Sequence, residues 1–349
     1  MVALWFAVLC LMIVFFVVLD GWDFGAGVLH YLVARNADER RMVIAALGPL
    51  WSWHEVWLVG TGGVLFVAFP RVLAAAFPAY YLALFLVLWT LLLRGLALEF
   101  RSHLDNPMWQ SFWDVVFAGS SAALAILFGA AVGNVMRGMP ITPDTALTLP
   151  LFTNFGVRGK VGILDWYTIS TAVFALVCLT AHGASYLTMK TSGEVYARSR
   201  KMASWLWVAT FLLLSLVTVE TTSVRPELFS GMLARPLAWV ALLVAGSGLT
   251  AIVTGLLGGA ERRTFLGGCA LIVGLLGTAA ASLFPVMLHS TLAPEYSITA
   301  WNGSSDPSSL RVAAFWWPFA FLFAIGYFVF VGKHYGGRVE ETSDSHQPY

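Results

Sequence analysis

The chain has 349 residues, of which 59% are hydrophobic and only 11% charged, with a mean hydropathy of +0.78. A soluble domain carries about 25% charged residues, so the composition excludes an ordinary soluble fold and points to an all-α polytopic membrane protein. The formal net charge of +1 gives no sign of nucleic-acid binding. Cys10, Cys178 and Cys269 lie in separate apolar runs without a CxxC or CxxCH motif, which argues against disulfides and c-type haem.

A helix needs about 20 apolar residues to cross a bilayer. By that measure nine spans are predicted, near 3–33, 50–69, 72–98, 112–134, 163–188, 203–220, 236–257, 264–288 and 312–332. A strand reading fails because the apolar runs are too long and do not alternate. The first span lacks a basic n-region and an A-x-A site and stays apolar past Asp20 and Asp23, so it reads as a retained helix rather than a signal peptide. No linker divides residues 1–336, which read as one transmembrane domain, and the polar stretch 337–349 reads as a disordered cytoplasmic tail.

Ionisable residues inside a membrane are functional candidates by default, because a central charge costs from about 2.5 to above 10 kcal/mol. Asp20 and Asp23 are three residues apart in the second half of the first span and share a helix face. In the second span, "GPLWSWHEVWLV" places Ser52, His54 and Glu55 at a similar depth. A short loop joins the two spans, so Asp20, Asp23, Ser52, His54 and Glu55 are expected to form one polar cluster. Two readings stay open for it: a proton-entry path, or a hydrogen-bonded clamp between helices.

Further along, Arg94 in "LLLRGLALEFR" either snorkels to the surface or pairs with a buried acid. Asp114 opens the fourth span, where a helix N-terminus favours an acid. His182 and His289 are haem-ligand types without a partner histidine at helical spacing, and read as structural. Glu220, at the end of the sixth span, reads as solvated. Gly21 with Gly25, and Gly129 with Gly133, are four apart, a spacing that lets helix backbones approach; Gly60, Gly62 and Gly63 suggest the same for the second span. Many of the 15 tryptophans fall near span ends, as in an interfacial belt. The sequon at Asn302-Gly303-Ser304 reads as a chance match.

With the N-terminus outside, 13 of the 20 lysines and arginines fall on the inner side. The positive-inside rule then places the N-terminus outside and the C-terminus in the cytoplasm.

Taken in order, "DGWDFGAGVL", "GPLW…EVWLVGTGGVLFVAFP", "RGLALEFRS", "FWDVVFAGSS", "GAAVGNVMRG" and "HGASYLTMKTSGEVYARSR" resemble subunit II of the cytochrome bd-type quinol oxidases. The resemblance implies a bacterial cytoplasmic-membrane protein of two four-helix bundles plus one peripheral helix, paired with a haem-bearing subunit I. The complex of such subunits oxidises membrane quinol and reduces dioxygen to water. It draws protons from the cytoplasm and so generates proton-motive force. Both b-type and d-type haems would lie in the partner and none in this chain. A structural quinone or lipid, and a small single-helix accessory subunit, occur with some members.

One stretch departs from the family, whose pattern is W-D-G-N-[EQ]-V-W-L where this chain has Trp51-Ser52-Trp53-His54-Glu55-Val56-Trp57-Leu58. The family aspartate is thought to conduct protons. Serine cannot titrate near neutral pH, whereas histidine can, so His54 and Glu55 are expected to carry a rerouted path, with Asp23 matching the second acid of the family's DG[FW]D. Two other classes compete: a proton-coupled transporter using the same acids, against which the absence of a visible sequence repeat weighs, and a self-sufficient haem protein using His54, His182 and His289.

Overall fold

The structure, a computed structural model, describes residues 1–143, 149–153, 155–157, 160–334, 337 and 339. Apart from two residues, the expected polar tail lies outside the described residues. The rest is helical: α1 (Val2–Val33), α2 (Ala37–Leu47), α3 (Trp51–Ala68), α4 (Pro70–Ala79), α5 (Tyr81–Phe100), α6 (Pro107–Arg137), α7 (Trp166–Lys190), α8 (Gly193–Val224), α9 (Glu227–Leu233), α10 (Pro236–Gly258), α11 (Glu261–Leu283), α12 (Ala300–Gly303) and α13 (Pro307–His334). Among the described residues eight helices are long and apolar enough to cross a membrane, and nine if α2 and α3 form one broken span. His54 and Glu55 in the first turns of α3 dilute its hydropathy. The 32-residue α1 measures about 48 Å, longer than the ~30 Å hydrocarbon core.

Helix starts follow local chemistry. Asn106 caps α6, its side chain accepting from the Met108 and Trp109 amides, with Pro107 at the first position where a missing N–H costs nothing. Asp165 and Thr168 form a reciprocal capping box at the start of α7. Two of the expected boundaries move at prolines, while the fourth and sixth spans begin earlier than expected, at Pro107 and Gly193. The third span divides at Tyr80 into α4 and α5, two residues after Pro78, which cannot donate into the helical ladder. The eighth ends at Leu283, because Pro285 forces an extended Phe284; Val286–Leu288 then pairs as a short strand, β1, with β2 (Ile298–Thr299). His289 therefore lies in a loop beyond β1 rather than closing a helix.

Helices α1, α3, α5 and α6 pack as one group, and α7, α8, α10 and α11 as a second. The groups meet where α1 lies against α7 and α11, and α6 against α7. Outside both, α13 packs on α3 through Trp53 stacked on Tyr327 at 3.9 Å and Trp57 edge-on to Phe321 at 5.7 Å.

The glycines explain how closely the groups meet. A Cβ on Gly25 would strike the carbonyl of Leu179 and come within 2.8 Å of the Gly183 nitrogen, both on α7. A Cβ on Gly129 would lie 2.8 Å from Ala172 Cα, and one on Gly133 would meet the Thr171 hydroxyl. Gly21 and Gly60 face side chains, those of Leu179 and Met12, whereas Gly62 and Gly63 have open space and serve no close contact among the described residues. Trp5, Trp22, Trp57, Trp113 and Trp207 are buried, so a third of the tryptophans are core rather than belt. Glu220 is half-buried and accepts a hydrogen bond from Ser170 Oγ at 3.0 Å, so it is not simply solvated.

Candidate functional site

Residues 19–27 of α1 are buried without interruption, because α3, α6 and α7 surround this part of the helix. Within that stretch Asp20 and Asp23 have no solvent exposure. Opposite them α3 presents His54, fully buried, and Glu55, whose side chain keeps 25% exposure. From α5 comes Arg94, also fully buried.

The contacts form a triad and a dyad. Arg94 Nη2 donates to Glu55 Oε1 at 2.7 Å and lies 2.6 Å from Asp20 Oδ1, an ion contact outside hydrogen-bond alignment. His54 Nδ1 and Asp23 Oδ2 are hydrogen-bonded at 2.6 Å. Rings close around the polar atoms: Phe24 lies under the guanidinium at 4.8 Å, and Trp22 stands edge-on to His54 at 5.0 Å while stacking on Tyr186 at 5.3 Å. Gly95, beside Arg94, leaves room for the Trp51 ring, whose nearest atom would lie 3.1 Å from a Cβ there. Asp23 Oδ1, His54 Nε2, and Arg94 Nε and Nη1 are buried with no hydrogen-bond partner among the described residues. Such atoms are costly unless water reaches them.

Four of the five expected residues therefore meet. Ser52 is exposed on α3, outside the buried set. Arg94 resolves as the partner of buried acids rather than a snorkelling side chain. Ligand atoms of Asp20, Asp23 and His54 lie within 4.8 Å of one another, close enough for a metal ion. Arg94 already supplies the cation against Asp20, however, and a dication beside a guanidinium would be repelled.

A second polar layer lies seven residues further along both α1 and α5. His30 Nε2 donates to Asp114 Oδ1 at 2.7 Å; Arg101 donates to both oxygens of the same carboxylate, and Arg40 approaches it at 3.5 Å. Asp114 is thus a buried hub two turns inside α6, not a helix-start acid. Its partner His30 was detectable as the residue seven after Asp23, two turns up the same face.

His182 is enclosed by α1 and α11. Its Nε2 donates to the Val18 carbonyl at 3.2 Å, its ring stacks on Phe265 at 5.1 Å, and Nδ1 faces the backbone of Gly268, where a Cβ would sit 2.8 Å away.

Fold and site together define a polytopic helical membrane protein that keeps carboxylates, a histidine and an arginine inside its first helix group. The chain belongs to the cytochrome bd terminal oxidase subunit II family, whose model matches residues 1–333. The cytochrome bd ubiquinol oxidase subunit 2 of Bacillus subtilis is 32% identical over 88% of each chain. The cytochrome bd-I ubiquinol oxidase subunit 2 of Escherichia coli is 28% identical over 88% of this chain and 87% of its own. A probable cytochrome oxidase subunit 2 of Haemophilus influenzae is 28% identical over 97% and 94%. In fold, the chain matches a solved bd oxidase from Geobacillus thermodenitrificans with a TM-score of 0.69 at 17% identity, covering 94% of this chain and 97% of that one. Membership in a subunit II family implies a partner subunit I.

Proposed function

We propose that this chain scaffolds the haem-bearing subunit I of a bd-type quinol oxidase and passes cytoplasmic protons toward it, with its N-terminus outside and its C-terminus inside. The observation that carries the reading is charge balance in the buried cluster. Asp20, Asp23 and Glu55 bring three carboxylates, and Arg94 brings one fixed positive charge. Neutrality in a low-dielectric interior then requires two further protons, held between Asp23 and His54 and among the remaining acids. The route for their exchange is Glu55, the one member of the cluster whose side chain keeps accessible surface on this chain. A proton taken up at Glu55 needs only a carboxylate rearrangement around Arg94 to reach Asp20, and Asp23 with His54 follows one turn away. The haems belong to subunit I, and this chain's part is to hold the helices and to hold and move protons at these atoms.

The test is oxygen consumption by the purified complex, normalised to haem d. Glu55→Gln keeps size and hydrogen bonding but removes the titrating proton. Combined with His54→Ala it should lower turnover by about 100-fold, the lower end for losing a positioned proton carrier, at near-normal haem content and yield. Each single substitution should be milder. Full activity in the double variant would sink the proton reading. Loss of yield and haem together with the rate would leave the interhelix clamp as the better account.

A further inference from the structure

Helices α10 and α11 are seamed by glycine. A Cβ on Gly248 would lie 2.7 Å from the Gly267 carbonyl, and one on Gly267 would lie 2.8 Å from the Gly248 carbonyl, so the two backbones touch. Beside this seam the side chains are too short to fill the surface. Ser247, Ala251 and Ala270 floor an open groove of about 650 Å³, flanked by Leu266, with Arg262 and Arg263 at its mouth. Both arginines are exposed, and among the described residues neither forms a salt bridge. The adjacent acid, Glu261, instead accepts a hydrogen bond from Tyr196 on α8 at 2.6 Å.

We infer that this groove binds an anionic phospholipid, one acyl chain lying on the small-residue floor and the phosphate held by Arg262 and Arg263. Three independent features point to that occupant. The groove runs from Arg262 to Ala270, about 12 Å along α11, close to the ~15 Å depth of one hydrocarbon leaflet. Apart from the Ser247 hydroxyl, which donates back to the Val244 carbonyl, it is apolar along that length and basic only at one end, the polarity of a lipid rather than of a soluble anion. The basic end coincides with the first turn of the 23-residue α11, whose free amides and dipole favour a phosphate. This inference is independent of the proton path, since it uses neither the same helices nor the same residues.

The experiment titrates the detergent-purified, delipidated complex with phosphatidylglycerol or with phosphatidylcholine of identical chains, reading bound lipid by native mass spectrometry. The wild type should retain one phosphatidylglycerol more tightly than phosphatidylcholine. The R262Q/R263Q complex should bind it about 10- to 30-fold more weakly, the scale of two basic side chains at a membrane surface. Ser247→Leu fills the floor without touching charge and should weaken both lipids. Equal phosphatidylglycerol affinity in wild type and R262Q/R263Q overturns the proposal, as does equal affinity for the two lipids. Glycerol phosphate competing as well as the whole lipid would also overturn it, by showing a bare anion site. If R262Q/R263Q does not assemble, Ser247→Leu decides alone: lost retention supports the groove, and unchanged retention overturns it.

Discussion

Arg94 sits fully buried between Asp20 and Glu55, and its removal would leave carboxylates without a counter-charge in a site water barely reaches. Breaking a buried pair from one side costs about 3–5 kcal/mol. Arg94→Gln should therefore lower the melting temperature and yield of the complex, while Arg94→Gln combined with Asp20→Asn should recover part of the loss. A melting curve that does not move in the single variant would mean that these acids are already neutral without the arginine. The acids themselves are legible in the sequence, because a charge interrupting an apolar run stands out from its neighbours. Their partners are less so. Which residue of α5 meets Asp20 depends on how the helices rotate against each other, and no spacing within one helix sets that. Ser52 illustrates the limit: three residues from Glu55 is 60° of helix rotation, enough to move from the edge of the buried stripe to its exposed side.

At the scale of elements, the glycine contacts divide into those that touch backbone and those that do not. Gly25 meets the α7 main chain, which cannot move aside as a side chain can. Gly25→Leu should force α1 and α7 apart and reduce the yield of complex at least several-fold, a larger loss than the 1–3 kcal/mol typical of simple overpacking. Gly62→Ala, with open space around it, should leave yield unchanged, and both are read by purifying the complex from equal amounts of membrane. Spacing alone identifies Gly25 and Gly133, but it marks Gly62 and Gly63 equally, since a sequence does not show which face of α3 is turned toward a neighbour. Helix ends follow the same pattern. The spans are legible from apolar length, whereas the break at Tyr80 and the stop before Pro285 come from single prolines within runs that remain apolar throughout.

For the whole molecule, two helix groups share one seam, and among the described residues His30, His54 and His182 are each hydrogen-bonded to another helix. His182 lies in that seam, bonded to α1 and stacked on α11. His182→Ala should leave the b- and d-type absorption bands of the assembled complex unchanged per mole of protein; loss of a band from a well-assembled variant would assign an iron to this chain. The burial of the inner part of α1 also bears on the order in which the protein can be made. Asp20 and Asp23 are synthesised before α3 and α5, so for an interval on the order of ten seconds at ordinary elongation rates these acids face the bilayer with neither His54 nor Arg94 to receive them. The uncharged run from Val2 to Leu19 can hold the helix in the membrane during that time, but its acidic end must stay at the water boundary or carry protons. Arg94, the one fixed positive charge of the mature site, is thus the last of these residues to be made, and the cluster can close only once α5 is in place.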